Sequence, residues 1–120
     1  MKLTKTNNFT TDVRFSVPGE SPGTWRNAEF KAVYRTLPND ELDELRREQD
    51  DKGAIPGLLD RVLVDVLGVE TDEKKPDGTT YTPLEIVKVN QLAAQATILA
   101  FWDAVNRDVE AKNSKRSRKH

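Results

Sequence analysis

Histidine and cysteine, the side chains most often used as bases, nucleophiles and metal ligands, are almost absent from this chain. The sequence holds no cysteine and a single histidine, His120, which is its last residue. Thiolate nucleophiles, disulfides and cysteine zinc sites are therefore excluded, and we expect no histidine base or metal ligand inside a packed site. A serine triad needs such a base and is not expected either.

Carboxylates are numerous, and their spacing favours solvation over catalysis. Adjacent acids such as Asp43-Glu44 and Asp50-Asp51 lie in charged segments, where a carboxylate pair tuned for acid and base roles is not expected. The acids of segment 70–82 lack the alternating oxygen ligands and closing glutamate of an EF-hand calcium loop, so a solvated loop around a turn is the favoured interpretation. We therefore predict a binding protein with no enzymatic activity, cofactor or metal.

Two strands are predicted before the first helix. Val13, Phe15 and Val17 alternate with polar residues, as in a strand with one buried face, and a second strand runs from about Arg26 to Arg35. The segment PGESPG between them has the residues of a surface turn, so the pair is predicted to be an antiparallel hairpin. Two strands alone are marginally stable and need helices or a partner on their apolar face.

The middle of the chain predicts two helices. Helix one runs from about Asp40 to Gln49, with Asn39 as its N-cap. Helix two runs from about Ile55 or Pro56 to Leu67, because the apolar residues of this segment fall on one helical face and a glycine follows them. The β-branched content of residues 62–67 leaves a strand there as the alternative.

Helix three has the clearest start signal and is the longest predicted element. Thr82 is placed as N-cap, Pro83 as first helical residue and Glu85 as the partner of a capping box, and the helix continues to about Val109. The predicted fold class is α+β, with an N-terminal antiparallel β-hairpin packed on about three helices and a long C-terminal helix. We expect a single domain over residues 1–110.

Apolar side chains surround most of the girth of helix three, so one small domain can scarcely bury all of them. Alanines share one side, Ile98 and Phe101 lie on a second, and Leu99 and Trp102 adjoin a polar stripe. One interpretation makes this helix the central core element. The other makes its large apolar residues a surface for a partner or for self-association, with Ile98, Leu99, Phe101 and Trp102 as the candidate partner-binding residues.

Charge divides the chain into an acidic body and a basic tail. Residues 1–111 carry fourteen bases against twenty acids, a net charge of −6, whereas residues 112–120 carry five bases. Such a body repels nucleic acid, and the tail of residues 111–120 is predicted to be disordered and solvated, with attraction of nucleic acid as the alternative. Neither a signal peptide nor a membrane span is predicted, so a cytoplasmic location is expected.

The order of four segments resembles the tail assembly chaperones of long-tailed, siphovirus-like bacteriophages. The segments are FKAVYRTLPNDELDEL, LLDRVLVDVLGV, DGTTYTPLEIVKVNQ and ILAFWDAV, which together cover about residues 28–106. Many members of that family have a tryptophan directly after the glycine that ends the second segment, where this chain has Val69 after Gly68.

The resemblance implies a non-enzymatic protein of the host cell cytoplasm that is absent from the finished virion. Such a chaperone binds the long helical tape measure protein and helps to recruit tail tube protein around it during tail assembly. A phage structural component and a small nucleic-acid-associated regulator that uses the basic tail are the competing expectations.

Overall fold

The computed structural model describes the backbone of residues 8–117 and the side chains of residues 8–106. The fold is mixed α+β and ends in a long helix, as the sequence predicts. Over the described residues it has a three-stranded antiparallel sheet and four helices, whereas the sequence predicts a two-stranded hairpin and about three helices. The elements in chain order are β1 (Asn8–Pro18), β2 (Trp25–Arg35), α1 (Asn39–Lys52), α2 (Leu58–Val62), β3 (Leu63–Leu67), α3 (Pro83–Val89) and α4 (Gln91–Ser117).

The predicted hairpin is present and forms two thirds of the sheet. β1 and β2 pair antiparallel without interruption, with Val13 opposite Phe30 near the middle. Inward side chains of β1 alternate with exposed ones along its whole length, which is the pattern of a sheet with one face on the core and one face in water. Phe15 meets Phe30 edge to face on the inner side, with ring centroids 6.0 Å apart.

The third strand replaces most of the predicted second helix. α2 covers only Leu58–Val62, and Leu63–Leu67 forms β3, which pairs antiparallel with β2. The prediction of a helix to Leu67 is therefore wrong, and the alternative of a valine-rich strand is confirmed. β-branched residues favour the strand. As a strand, this segment pairs with the edge of β2, whose backbone N–H and C=O groups would have no strand partner on that side if the segment were helical.

Helix α1 begins one residue earlier than predicted and is longer at its C-terminal end. Asn39 is the first helical residue, Pro38 stands at the cap position and no side chain caps the helix, so the prediction of Asn39 as N-cap is wrong. Gly53 ends the helix in the left-handed conformation, with φ of 74°, and its N–H donates to the Gln49 oxygen. Leu45 is the buried anchor of this helix.

The predicted third helix is two helices that meet at Asn90. The capping box at Thr82 and Glu85 is confirmed, but α3 ends at Val89 and Asn90 adopts an extended conformation with ψ of 118°. The Asn90 side-chain oxygen accepts a hydrogen bond from the Ala93 N–H at 3.0 Å, so Asn90 caps the start of α4. The extended backbone at Asn90 therefore separates one predicted helix into two.

The loop between β3 and α3 forms a short hairpin around its predicted turn. The backbones of Lys74 and Thr80 pair in an isolated antiparallel β-bridge, and the Gly78 N–H donates to the Lys75 oxygen across the turn at 2.9 Å. Lys75 forms an ion pair with Glu85, and this contact holds the pKa of that carboxyl below its ordinary value. The hairpin is thereby tied to the first turn of α3. Among the described residues no group of three or more acids or histidines is placed to hold a metal ion.

Helix α4 extends beyond the predicted end near Val109. Its backbone is helical to Ser117, so the segment predicted to be a disordered tail, residues 111–120, is helical up to that residue, and residues 118–120 lie outside the described part. None of the described helices is both long and apolar enough to cross a bilayer.

Candidate protein-binding surface

Helix α4 is fixed on the sheet by one buried polar contact within an apolar core. The Tyr34 hydroxyl donates to the Thr97 backbone oxygen at 2.6 Å, and both residues are fully buried. The Thr97 hydroxyl donates to the Ala93 oxygen at 2.6 Å, so the threonine satisfies its own polar group within the helix. The centre of the buried side of α4 therefore runs through Ala93, Thr97 and Phe101.

Burial also governs the chemistry of Tyr34. Its ring lies 5.4 Å from the ring of Phe101, between centroids, and 5.3 Å from that of Phe9. Loss of hydration in this apolar environment raises the pKa of the Tyr34 phenol above its ordinary value of 10.0. The hydroxyl stays protonated at neutral pH, so it serves as a hydrogen-bond donor that positions α4.

The four candidate partner-binding residues are divided by the fold into three environments. Phe101 is fully buried and belongs to the core, so it does not contribute to an accessible surface. Ile98 and Trp102 are half buried against the core, with the Trp102 ring 5.2 Å from that of Phe101. Leu99 is 70% exposed. Of the four, Leu99 alone presents its side chain chiefly to solvent.

Leu99 lies in an exposed stripe of α4. The sequence grouped Leu99 with Trp102, whereas the structure groups it with Leu92. Leu92 lies on the same stripe, two turns before Leu99, and is 38% exposed. Gln95 and Asp103 flank them and are also exposed. Leu92 is not among the candidate residues predicted from the sequence, although its spacing of seven residues from Leu99 is the signal that places both on one helical face.

A groove runs between this stripe of α4 and strand β1. Its volume is about 620 Å³, and it is open to solvent. The groove is lined on the strand side by Asp12, Arg14, Phe15 and Ser16, and on the helix side by Leu92, Gln95, Ala96, Leu99, Ala100 and Asp103. The lining combines apolar side chains with charged groups of both signs, a mixture that is common in protein-binding surfaces.

The strand that lines the groove is an edge of the sheet. The strand order is β1-β2-β3, so among the described residues β1 has a neighbour on one side only. An unpaired edge exposes a row of N–H and C=O groups that can pair with another chain. Sequence reasoning predicted the strand but not its position at the edge, because strand order depends on where β3 pairs.

Charged side chains alternate on the outer face of the hairpin. Asp12 faces Lys31 across the strands, with 3.9 Å between carboxylate oxygen and Nζ, and Arg14 faces Glu29 with 3.3 Å between Nε and carboxylate oxygen. All four side chains are at least half exposed. Such pairs add little to folding stability, and their main effect is on which strand can lie beside them.

Other exposed apolar side chains lie outside the groove. They are Trp25, Val64, Leu67 and Val89. Trp25 begins β2 beside the turn of the hairpin, and Val64 and Leu67 lie on β3, the other edge strand. The groove is the place where exposed leucines adjoin a long free strand edge.

Compared with known proteins, the chain matches no protein-family model, no curated protein and no solved structure.

Proposed function

We propose that this protein is a non-enzymatic tail assembly chaperone of a long-tailed bacteriophage. In this proposal it binds the tape measure protein in the host cell cytoplasm, helps to recruit tail tube protein and is left out of the mature virion. The observation that carries the proposal is the open groove beside Leu99, formed by a free strand edge and the longest helix. The order of the four sequence segments supplies the choice of family.

A helical partner suits this groove on physical grounds. An amphipathic helix buries its apolar stripe by placing side chains at every third or fourth position between exposed leucines. Leu92 and Leu99 offer such contacts, and Gln95 between them offers a polar group to the rim. Burial of an exposed leucine stabilises a complex by about 1.5–3 kcal/mol before ordering costs. A tape measure protein, being long and helical, presents many such stripes.

Co-expression with the tape measure protein that the proposal assigns as the partner tests the proposal. We expect the chaperone to raise the soluble fraction of that protein, and we expect Leu92→Ser with Leu99→Ser to abolish the rescue because the groove loses its apolar contacts. The control is Val64→Ser with Leu67→Ser, which removes two exposed apolar side chains from the opposite edge strand and should leave the rescue intact.

Two results would contradict the proposal at different levels. If the wild-type protein leaves the partner insoluble, the chaperone function fails. If the wild type rescues it and the Leu92 and Leu99 variant rescues it equally, the function stands and the groove is not its site.

The basic segment at residues 112–120 supports a second candidate, a small nucleic-acid-associated regulator. That function requires binding that weakens steeply with salt and disappears when residues 112–120 are deleted. The chaperone function predicts that the same deletion leaves partner rescue unchanged. Detection of the protein in purified virions would instead favour a structural component of the particle.

A further inference from the structure

We infer that the free edge of β1 pairs with the β1 strand of a second copy of this chain, antiparallel about a two-fold axis at Val13. The inference is independent of the proposed function, since it rests on the hydrogen-bond direction, charge order and leucines at this edge.

The backbone of β1 has donors and acceptors facing the open side. The Gly19 N–H donates to the Thr24 oxygen at 2.8 Å, one position beyond the pairing of Pro18 with Trp25. Hydrogen-bonded and non-hydrogen-bonded pairs alternate along an antiparallel ladder, so the even-numbered residues of β1 direct their N–H and C=O groups away from β2. Pro18, which has no N–H, falls in this set, as expected for a proline at a free edge.

The sequence of β1 is complementary to itself about its midpoint. Val13 is the central residue of Asn8–Pro18, so an axis there overlaps the two strands along their full length. Asp12 then lies opposite Arg14 of the second copy, and Arg14 opposite Asp12, each pair joined by outward-facing backbone groups. An axis midway between two residues would pair even-numbered with odd-numbered positions and break the hydrogen-bond alternation. An axis at Asp12 would place two aspartates together, and an axis at Arg14 two arginines.

The charges of β2 extend this complementarity across the whole sheet. Lys31 lies beside Asp12 and Glu29 beside Arg14 within each copy. In the dimer, a row across the outer face reads Lys31 and Asp12 of one copy, then Arg14 and Glu29 of the other. Neighbours in this row always have opposite signs, so the pairing removes no favourable contact and adds two.

The same axis accounts for the exposed leucines of α4. Since it passes through the sheet, both α4 helices lie on the same face of the six strands and face each other across it. Leu92 and Leu99 line the groove at that edge, so pairing would cover them. A partner helix in the groove and a second copy on β1 would use the same surface and exclude each other.

Complementary charge variants test this register. In Asp12→Arg alone or Arg14→Asp alone, both cross-copy pairs become repulsive, and we expect the dimer dissociation constant to rise by about thirtyfold. In an equimolar mixture, each Asp12→Arg chain faces an Arg14→Asp chain through two attractive pairs, so the mixture should return to within about threefold of the wild type. Sedimentation equilibrium measures all three constants.

The control is Lys31→Glu, which disturbs the intrachain pair with Asp12 and leaves the charges of β1 unchanged. It should remain dimeric, and circular dichroism should show every variant folded. A wild type that sediments as a single chain across the concentration range, or a mixture that associates no better than either variant alone, would overturn the inference.

Amide hydrogen exchange on the wild type provides a measurement that needs no variant. The amides of Asp12 and Arg14 face the open edge and should exchange more slowly as protein concentration rises. The amide of Val13, already bonded to β2, should change little. Equal exchange at low and high concentration would exclude pairing at β1, whatever the outcome of the co-expression experiment.

Discussion

Tyr34 joins the sheet to the long helix through a buried hydrogen bond. Its hydroxyl reaches the Thr97 oxygen, while its ring packs between Phe9 and Phe101. A phenylalanine would preserve the ring contacts and lose the hydroxyl contact. Comparison of the wild type with Tyr34→Phe therefore separates the stabilising effect of the hydroxyl hydrogen bond from that of the ring packing.

Tyr34→Phe should lower the free energy of unfolding by about 1 kcal/mol at neutral pH, because one buried hydrogen bond is lost. Above pH 10 the unfolded wild type releases a phenolic proton that the folded chain retains, since the pKa of Tyr34 is raised in the fold. Wild-type stability should then fall by about 1.4 kcal/mol more per pH unit than that of the variant.

Urea unfolding of both chains across the alkaline range measures this difference. The wild type should lose its advantage over Tyr34→Phe as pH rises above 10, and the two stability curves should cross. Curves that stay parallel through that range would show that Tyr34 ionises as readily in the folded chain as in the unfolded one.

Leu99 and Phe101 are two positions apart, but truncation of their side chains should change the free energy of unfolding by very different amounts. Phe101→Ala removes a fully buried ring and should cost about 3–5 kcal/mol, whereas Leu99→Ser changes a largely exposed side chain and should stay within about 0.5 kcal/mol of wild type. Chemical denaturation of the purified variants, at protein concentrations where the chain is a monomer, measures both values. A large loss at Leu99 under those conditions would mean that the leucine is covered within a single chain.

Residue patterns predicted which side chains of α4 are apolar, but not which of them are accessible. Phe101 and Leu99 look alike as members of an apolar helix, and the side that is buried is decided by Tyr34, far away in sequence. Thr97 is polar by residue type and is nevertheless fully buried, since its hydroxyl donates to the Ala93 oxygen in the preceding turn.

At the scale of elements, Asn90 decides where one helix ends and the next begins. Its side chain caps α4, and its extended backbone ends α3. Asn90→Ala should lower the free energy of unfolding by about 1 kcal/mol through loss of the cap. Gln91→Ala, an exposed change in the next residue, is the matched control and should have little effect. Equal urea midpoints for the two variants would contradict the capping role.

The hairpin and the start of α3 were predictable because their signals are local: alternation in the strands, and the threonine, proline and glutamate of a capping box. The segment from Leu63 to Leu67 was not, since its apolar residues suit a helix face or a strand equally. The free edge of β2 selects the strand, and that edge exists only once the hairpin has formed.

At the scale of the whole molecule, charge and shape separate two kinds of surface. The outer face of the hairpin is covered by exposed ion pairs, whereas the groove between β1 and α4 combines leucines with backbone groups. The sequence indicated that α4 has more apolar surface than a small domain can bury. It did not indicate the strand edge beside it, which supplies the other half of the candidate surface.

The unequal lengths of the two edge strands limit how far copies of this chain can grow into a sheet. β1 has eleven residues in regular register, whereas β3 has five and its pairing with β2 is interrupted by a bulge. A long, regular edge is a good template for a neighbour, and a short, twisted one is a poor template. Association through β1 alone uses the same patch on both copies and so closes after two chains. In a dimer paired through β1, the two outer edges are the short β3 strands, which are poor templates for further growth of the sheet.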